Sequence, residues 1–301
     1  MKKERCADAN AITRDYFDSL LLEQRLMGAG KPDTSVTIFD RQFSTPVMTA
    51  ALSHLGTFHP DMENPMEAYA RAAVLADTLH WIGMAEEEEF DSVMDTGART
   101  VRVVKPYADE QKIERQLRRA EERGAVAVGM DIDHIFSVSG EQDIVMGEEM
   151  SVKSPDRLRE YVRMTTLPFV VKGVLSVKDA HACAEIGAAG IVVSHHAGRM
   201  NYAVPPLMVL PDIRKEVGEK MPVFVDCGIL SGMDTYKALA LGATAVSVGK
   251  HLVPYIRSGG AEAVADRIQD MTSELKGIMA FTGVRDMSSF DSSVLHLRTF
   301  G

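Results

Sequence analysis

The chain has 301 residues, of which 33 are Lys or Arg and 43 Asp or Glu, giving a formal charge of −10, with 46% hydrophobic and 25% charged residues. This balance excludes disordered, collagenous and coiled-coil chains. The acidic excess disfavours nonspecific binding to nucleic acid or an anionic membrane, while leaving room for a local pocket that takes a small anion.

No apolar run reaches the roughly 20 residues of a bilayer span. The charged start, Met1-Lys2-Lys3-Glu4-Arg5, lacks the apolar core of a signal peptide. Cys6, Cys183 and Cys227 form no CxxC, so a reduced cytoplasmic setting is expected and a structural zinc site is not.

In chain order, short apolar runs alternate with longer amphipathic stretches. The runs are Pro46–Thr49, His80–Met84, Thr100–Val104, Ala125–Ile132, Pro168–Val174, Gly190–Ser194, Pro222–Val225 and Ala245–Val248. Most are rich in Val, Ile and Phe and apolar on both faces, as buried parallel strands are. Between them, Asp109–Glu122 carries Ile113, Leu117 and Ala120 on one face and charges on another. Ser154-Pro155 predicts a capped helix start. Gly187 predicts the end of a helix over Val177–Ile186, and Gly242 the end of one over Gly232–Leu241. Ala261–Phe281 closes the set. Eight strand–helix units predict an α/β single-domain (β/α)8 barrel over residues 41–301, with residues 1–40 as a segment capping its bottom or mouth. A doubly wound open sheet is the alternative, but no GxGxxG follows the first strand.

Barrel chemistry sits at the carboxyl ends of the strands. There the sequence places Ala50-Ala51, Ala85-Glu86, Lys105, Asp131 and Asp133, Lys172-Gly173, Ser194-His195-His196, Asp226-Cys227-Gly228 and Gly249-Lys250. A strand-end histidine is a candidate base, and Arg199, three residues past His196, can bind a carboxylate bidentately. Together they suit an anionic substrate that must lose a proton. Lys172 closes a buried strand, where an unpaired ammonium is costly, so it points into a site or meets a carboxylate. The glycine-rich turns Asp226–Gly232 and Gly249-Lys250 follow the last two strands, the usual phosphate position in barrels. Glu86–Glu89 reads as the acidic first turn of a helix rather than a metal site, and no metal is expected. The 18 Met residues read as fillers of core gaps.

Ser194–Arg199, Pro205, Val209-Leu210-Pro211, Asp226-Cys227-Gly228, Lys237–Ala243 and Gly249-Lys250 together resemble the FMN-dependent α-hydroxy acid oxidase/dehydrogenase family, to which glycolate and lactate oxidases belong. The similarity extends upstream through Leu167–Gly173 and Asp179-Ala180, and to Asp33–Thr37 and Ala70–Ala73. The resemblance implies FMN at the mouth of a (β/α)8 barrel and oxidation of a small 2-hydroxy acid. By it, His196 is the base that takes the substrate hydroxyl proton and Arg199 holds the carboxylate. A hydride would pass to flavin N5, with a carbanion route left open. Lys172 stands beside flavin N1 and O2, where positive charge stabilises the reduced flavin. Asp133 orients His196. Ala50, Ala51, Asp131, Ser194, Asp226, Gly228, Gly249 and Lys250 complete the cofactor set. Homo-oligomers, often tetramers, are usual in the family.

The departures are specific. Cys227 replaces a glycine, Leu230 stands where the phosphate arginine is usual, and Lys250 replaces another arginine. Asp131 replaces a threonine, while Val103 and Lys105 stand near a usual glutamine and tyrosine. The stretch His134–Ser151 is short and lacks the arginine that gives the second carboxylate contact; Lys105 is the nearest replacement. These changes keep two alternatives open: an FMN barrel with isomerase or nicotinamide-fed reductase chemistry, and a non-catalytic barrel for a phosphorylated ligand. Lys172, Arg199 and Lys250 are expected to form a positive well at the mouth.

Overall fold

A computed structural model describes residues 7–137, 139–219 and 221–298; Cys6 lies outside them. All eight apolar runs are strands: β1 (Val47–Thr49), β2 (His80–Ile82), β3 (Thr100–Val104), β4 (Ala127–Asp131), β5 (Phe169–Val174), β6 (Gly190–Val193), β7 (Val223–Val225) and β8 (Ala245–Val248). They form one parallel sheet in the order β1-β8-β7-β6-β5-β4-β3-β2. The parallel bridge Leu52–Ile82 joins the two ends, and Thr49 Oγ1 accepts from the Trp81 backbone N–H at 3.1 Å. The sheet is therefore a closed (β/α)8 barrel and not an open doubly wound sheet.

Side chains alternate across each strand. Met48, Trp81, Val101, Val103, Ala127, Val170, Val192, Phe224 and Ala245 form one cluster inside the barrel, where the rings of Trp81 and Phe224 meet edge-on at 5.2 Å. The other strand face, with Val47, Ile82, Val104, Val128 and Val171, joins the helices in a larger cluster. Val103 is in register with Gly129, and Gly129 with Val170. Two residues further up the same face come Lys105, Asp131 and Lys172. The period of the strand thus lifts a ring of charge directly above the apolar plug.

The surrounding helices are α1 (Pro65–Leu75), α2 (Glu87–Asp95), α3 (Glu110–Glu122), α4 (Pro155–Met164), α5 (Val177–Ile186), α6 (Pro206–Val217), α7 (Gly232–Ala240) and α8 (Val253–Thr282). Asp109 caps α3 through the N–H groups of Gln111 and Lys112, Ser154 caps α4, and Gly187 ends α5 at φ 84°. One helix end differs from expectation. The cap residue of α7 is Leu241, with Gly242 one position beyond. The last helix starts at Ala261 as expected: Gly259 and Gly260 leave helical geometry and divide α8 into a short segment from Val253 and the long helix that follows the kink. Among the described residues no helix is long and apolar enough to cross a membrane.

Residues before β1 cover both ends of the barrel. The hairpin Val36–Ile38/Arg41–Phe43 adds Val36, Ile38 and Phe43 to the inner cluster from below. The helix Ala9–Ser19 lies across the turns after β6 and β7. There Asn10 Nδ2 donates to Ala197 O at 2.9 Å, and Arg14 grips Asp234 with both Nη atoms while donating to Gly228 O. Leu20–Leu22 then pairs antiparallel with Leu295–Leu297.

Candidate active site

The mouth holds a compact network of opposite charges. Lys172 is buried, with its Nζ 3.6 Å from Asp133, 3.8 Å from Asp131 and 3.8 Å from Asp226. Burial alone would lower its pKa, but the three carboxylates hold it above the ordinary lysine value. Lys105, also buried, donates to Asp131 Oδ2 at 2.6 Å and lies 3.0 Å from His134 Nδ1. Burial opposes ionisation of Asp131, yet Lys105 and Lys172 keep its carboxyl well below the usual range. The expected positive well is therefore corrected: the strand-end lysines are matched by strand-end aspartates, since an unpaired buried ammonium is too costly to keep. Lys250 remains exposed at the rim.

His196 sits at φ 50° in the turn after β6, its backbone N–H bonded to Ser194 Oγ at 3.0 Å. Its Nδ1 lies 2.6 Å from Asp133 Oδ1, which leaves Nε2 as the nitrogen available for a substrate proton. Burial and Lys172 push the imidazole pKa down, but Asp131 and Asp133 outweigh them and raise it above 6.5. Burial and then Asp131 lift the Asp133 carboxyl as well. His195 plays a different part. Its Nδ1 accepts from Gly198 N–H at 3.0 Å and its Nε2 meets Thr13 Oγ1 at 2.8 Å, which ties the turn to the N-terminal helix.

Arg199 lies on the same turn but is not a free clamp. Its Nη2 donates to Phe136 O at 2.9 Å and to the Asp143 carboxylate, while its Nε is buried without an acceptor. Asp143 Oδ2 also lies 3.0 Å from His134 Nε2. Sequence reasoning missed both Asp143 and His134; they belong to the irregular β4–α4 loop, where no periodicity marks which side chains face inward. Lys105 does not stand free as a second carboxylate contact either, being held by Asp131 and His134.

At the opposite side of the mouth, the Cys227 thiol donates to Asp226 Oδ1 at 2.9 Å, and its sulfur accepts from Ala197 N–H at 3.3 Å. Burial, reinforced by Asp226, raises its pKa, so it stays a thiol. Gly228 has φ 83°, and a Cβ there would lie 2.8 Å from Thr13 Cγ2. Leu230 is largely exposed; its carbonyl accepts from Arg267 Nη2 at 2.7 Å, and Arg267 Nε bonds His251 at 3.0 Å. Gly249 faces Ala50, whose Cβ would stand 3.2 Å from an added Cβ.

Asp131, Asp133 and His196 offer ligand atoms within 4.8 Å of one another, but the ammoniums of Lys105 and Lys172 already supply the positive charge that a metal ion would bring. Asp131 Oδ1 and Asp133 Oδ2 are buried without hydrogen bonds. Such open acceptors, with small residues across the mouth, fit a site completed by a polar cofactor that brings N–H or O–H donors to them.

The family model of FMN-dependent dehydrogenases matches residues 2–161 and 148–297. The chain belongs to this family, and its cofactor is FMN. It is 29% identical over 313 residues to glycolate oxidase 1 of Zea mays, covering 91% of this chain and 84% of that protein. It is 28% identical over 290 residues to 4-hydroxymandelate oxidase of Amycolatopsis orientalis, covering 85% and 80%. Among solved structures, a mandelate oxidase variant with benzoylformic acid superposes with a TM-score of 0.87 at 26% identity, covering 98% of this chain and 91% of that one. The fold expected from the alternating strands and helices, and the oxidoreductase class and cofactor implied by the family resemblance, are thereby established.

Proposed function

We propose that the protein oxidises a small 2-hydroxy acid, with His196 as base, Asp133 as the group that orients it, and Arg199 as the carboxylate contact. The observation that carries this is the 2.6 Å His196–Asp133 pair one turn from Arg199 at the barrel mouth. Asp133 fixes the imidazole so that Nε2 takes the substrate hydroxyl proton, and its charge stabilises the imidazolium that results. When bound, FMN takes up the two electrons that leave the substrate carbon. Lys172 would lie against the flavin, with Ala50, Ala51, Asp131, Ser194 and Asp226 around it. Gly228, Gly249 and Lys250 would hold the phosphate. The ammonium of Lys172 favours negative charge in its neighbourhood, while Asp131 is restrained by two lysines from opposing it.

Anaerobic titration of the yellow protein with a panel of 2-hydroxy acids tests the proposal. Bleaching by at least one is expected. Bleaching by NADH or NADPH and by no hydroxy acid would replace it with reductase chemistry, which the altered Lys105–Asp131 surroundings would then explain. A cytoplasmic homo-oligomer goes with the same proposal, and light scattering on the eluted protein measures the assembly.

A further inference from the structure

Arg199 is satisfied at Nη2 by a carboxylate from its own chain and unsatisfied at Nε. The carboxylate is Asp143, carried by the β4–α4 loop, and one oxygen, Oδ2, reaches both Arg199 Nη2 and His134 Nε2, the latter at 3.0 Å. The tautomer of His134 follows from its other neighbour. Lys105 has no lone pair to offer, so at 3.0 Å its ammonium donates to His134 Nδ1. Nδ1 is then the acceptor and Nε2 carries the hydrogen. Lys105 is itself fixed by Asp131 at 2.6 Å. The chain Asp131–Lys105–His134 thus presents one N–H donor at a fixed point beside Arg199. The His134 and His196 rings are 4.8 Å apart, so that donor stands next to the base.

We propose that Asp143 occupies the substrate carboxylate site, and that His134 Nε2–H with Arg199 forms that site once Asp143 is displaced. The Asp143 carboxylate already lies between these two donors, so both reach a single carboxylate. The buried Arg199 Nε, lacking an acceptor, gives an incoming carboxylate a second guanidinium contact that Asp143 does not use. His134 then does what an arginine would do from the same loop, without adding a charge. Burial first, then the cations Lys105, His196 and Arg199, push its pKa down to about 3, so the donor stays neutral through the working range. Substrate binding becomes an exchange of one carboxylate for another, with the β4–α4 loop moving as Asp143 leaves. This inference rests on the proposed hydroxy acid oxidation for its substrate but not for its site.

Oxalate, a carboxylate with no C–H bond to break, is the probe, and calorimetric titration of the FMN-loaded protein is the readout. Asp143→Ala removes the internal competitor and is expected to tighten oxalate binding about tenfold. Asp143→Asn, which keeps the side-chain shape and guards against a disordered loop, is expected to tighten it less. In the Asp143→Ala background, His134→Ala is expected to weaken oxalate about tenfold, and His134→Gln, which retains an N–H donor, to restore part of the loss. Unchanged or weaker binding on loss of the Asp143 charge overturns the displacement. Oxalate affinity indifferent to His134 overturns its role. If oxalate follows the expected pattern while no 2-hydroxy acid bleaches the flavin, the carboxylate site stands and the oxidase proposal falls.

Discussion

His196 must be neutral at Nε2 to accept a proton, and its pKa lies above 6.5 because the two aspartates outweigh burial and Lys172. The rate kcat/KM is therefore expected to fall as pH drops through that raised value. Asp133→Asn removes one of the raising charges, so the acid limb should move to lower pH while the plateau falls by about ten- to a hundredfold. A limb that stays in place would show that Asp133 does not set the base. His196→Ala should lower the rate of anaerobic bleaching by about a hundred- to ten-thousandfold and leave FMN bound, which absorbance of the desalted protein reports. Lys172→Met leaves Asp131, Asp133 and Asp226 facing one another without their shared cation. It should cost about 3–5 kcal/mol of unfolding free energy, read from denaturant titration. Lys172 and Asp131 were legible in the sequence because they close buried strands on the barrel's inner face, and Asp133 and His196 because they follow strand ends and match positions of the family motif. Their pairing was not, because periodicity says which face a charge occupies and nothing about the sign of the charge opposite.

Elements bounded by local caps were read within a residue or two, as at the side chains of Asp109 and Ser154 and the left-handed backbone of Gly187. Those whose geometry depends on distant neighbours were not. The short helical segment from Val253 ahead of Gly259 and Gly260 went unread, while the helix after that break was read from Ala261. The helix Ala9–Ser19 meets partners some 180 to 220 residues away, through Thr13 to His195 and Arg14 to Asp234, so no local pattern could place it. Its docking makes a distinct demand at Gly228. Alanine there would have to hold φ 83° with its Cβ 2.8 Å from Thr13 and 3.0 Å from Phe17. Gly228→Ala is expected to cost about 1–3 kcal/mol and to expose the Ala9–Ser19 helix to protease. Equal stability with unchanged cleavage would refute this close fit.

At the scale of the molecule, one phenol ties together the carboxyl ends of β8 and β1, which already pair as parallel neighbours through Val246–Val47 and Val248–Thr49. Tyr69 on α1 is fully buried; its hydroxyl donates to Val248 O at 3.0 Å and accepts from Ala50 N–H at 2.9 Å. Ala50 and the residue after Val248, Gly249, both belong to the proposed cofactor set. Tyr69→Phe should therefore cost about 1–3 kcal/mol, and FMN should be lost at a lower denaturant concentration than from the parent, seen by flavin fluorescence. The short strand Leu20–Leu22 is paired only near the opposite end of the chain, with Leu295–Leu297. A ribosome releasing this protein strand by strand would finish the barrel before the partner for Leu20–Leu22 had emerged. The helix before that strand can dock earlier, through Thr13 to His195 and Arg14 to Asp234, so the strand pair is the last of its ties to form and fastens a cover already seated on the barrel.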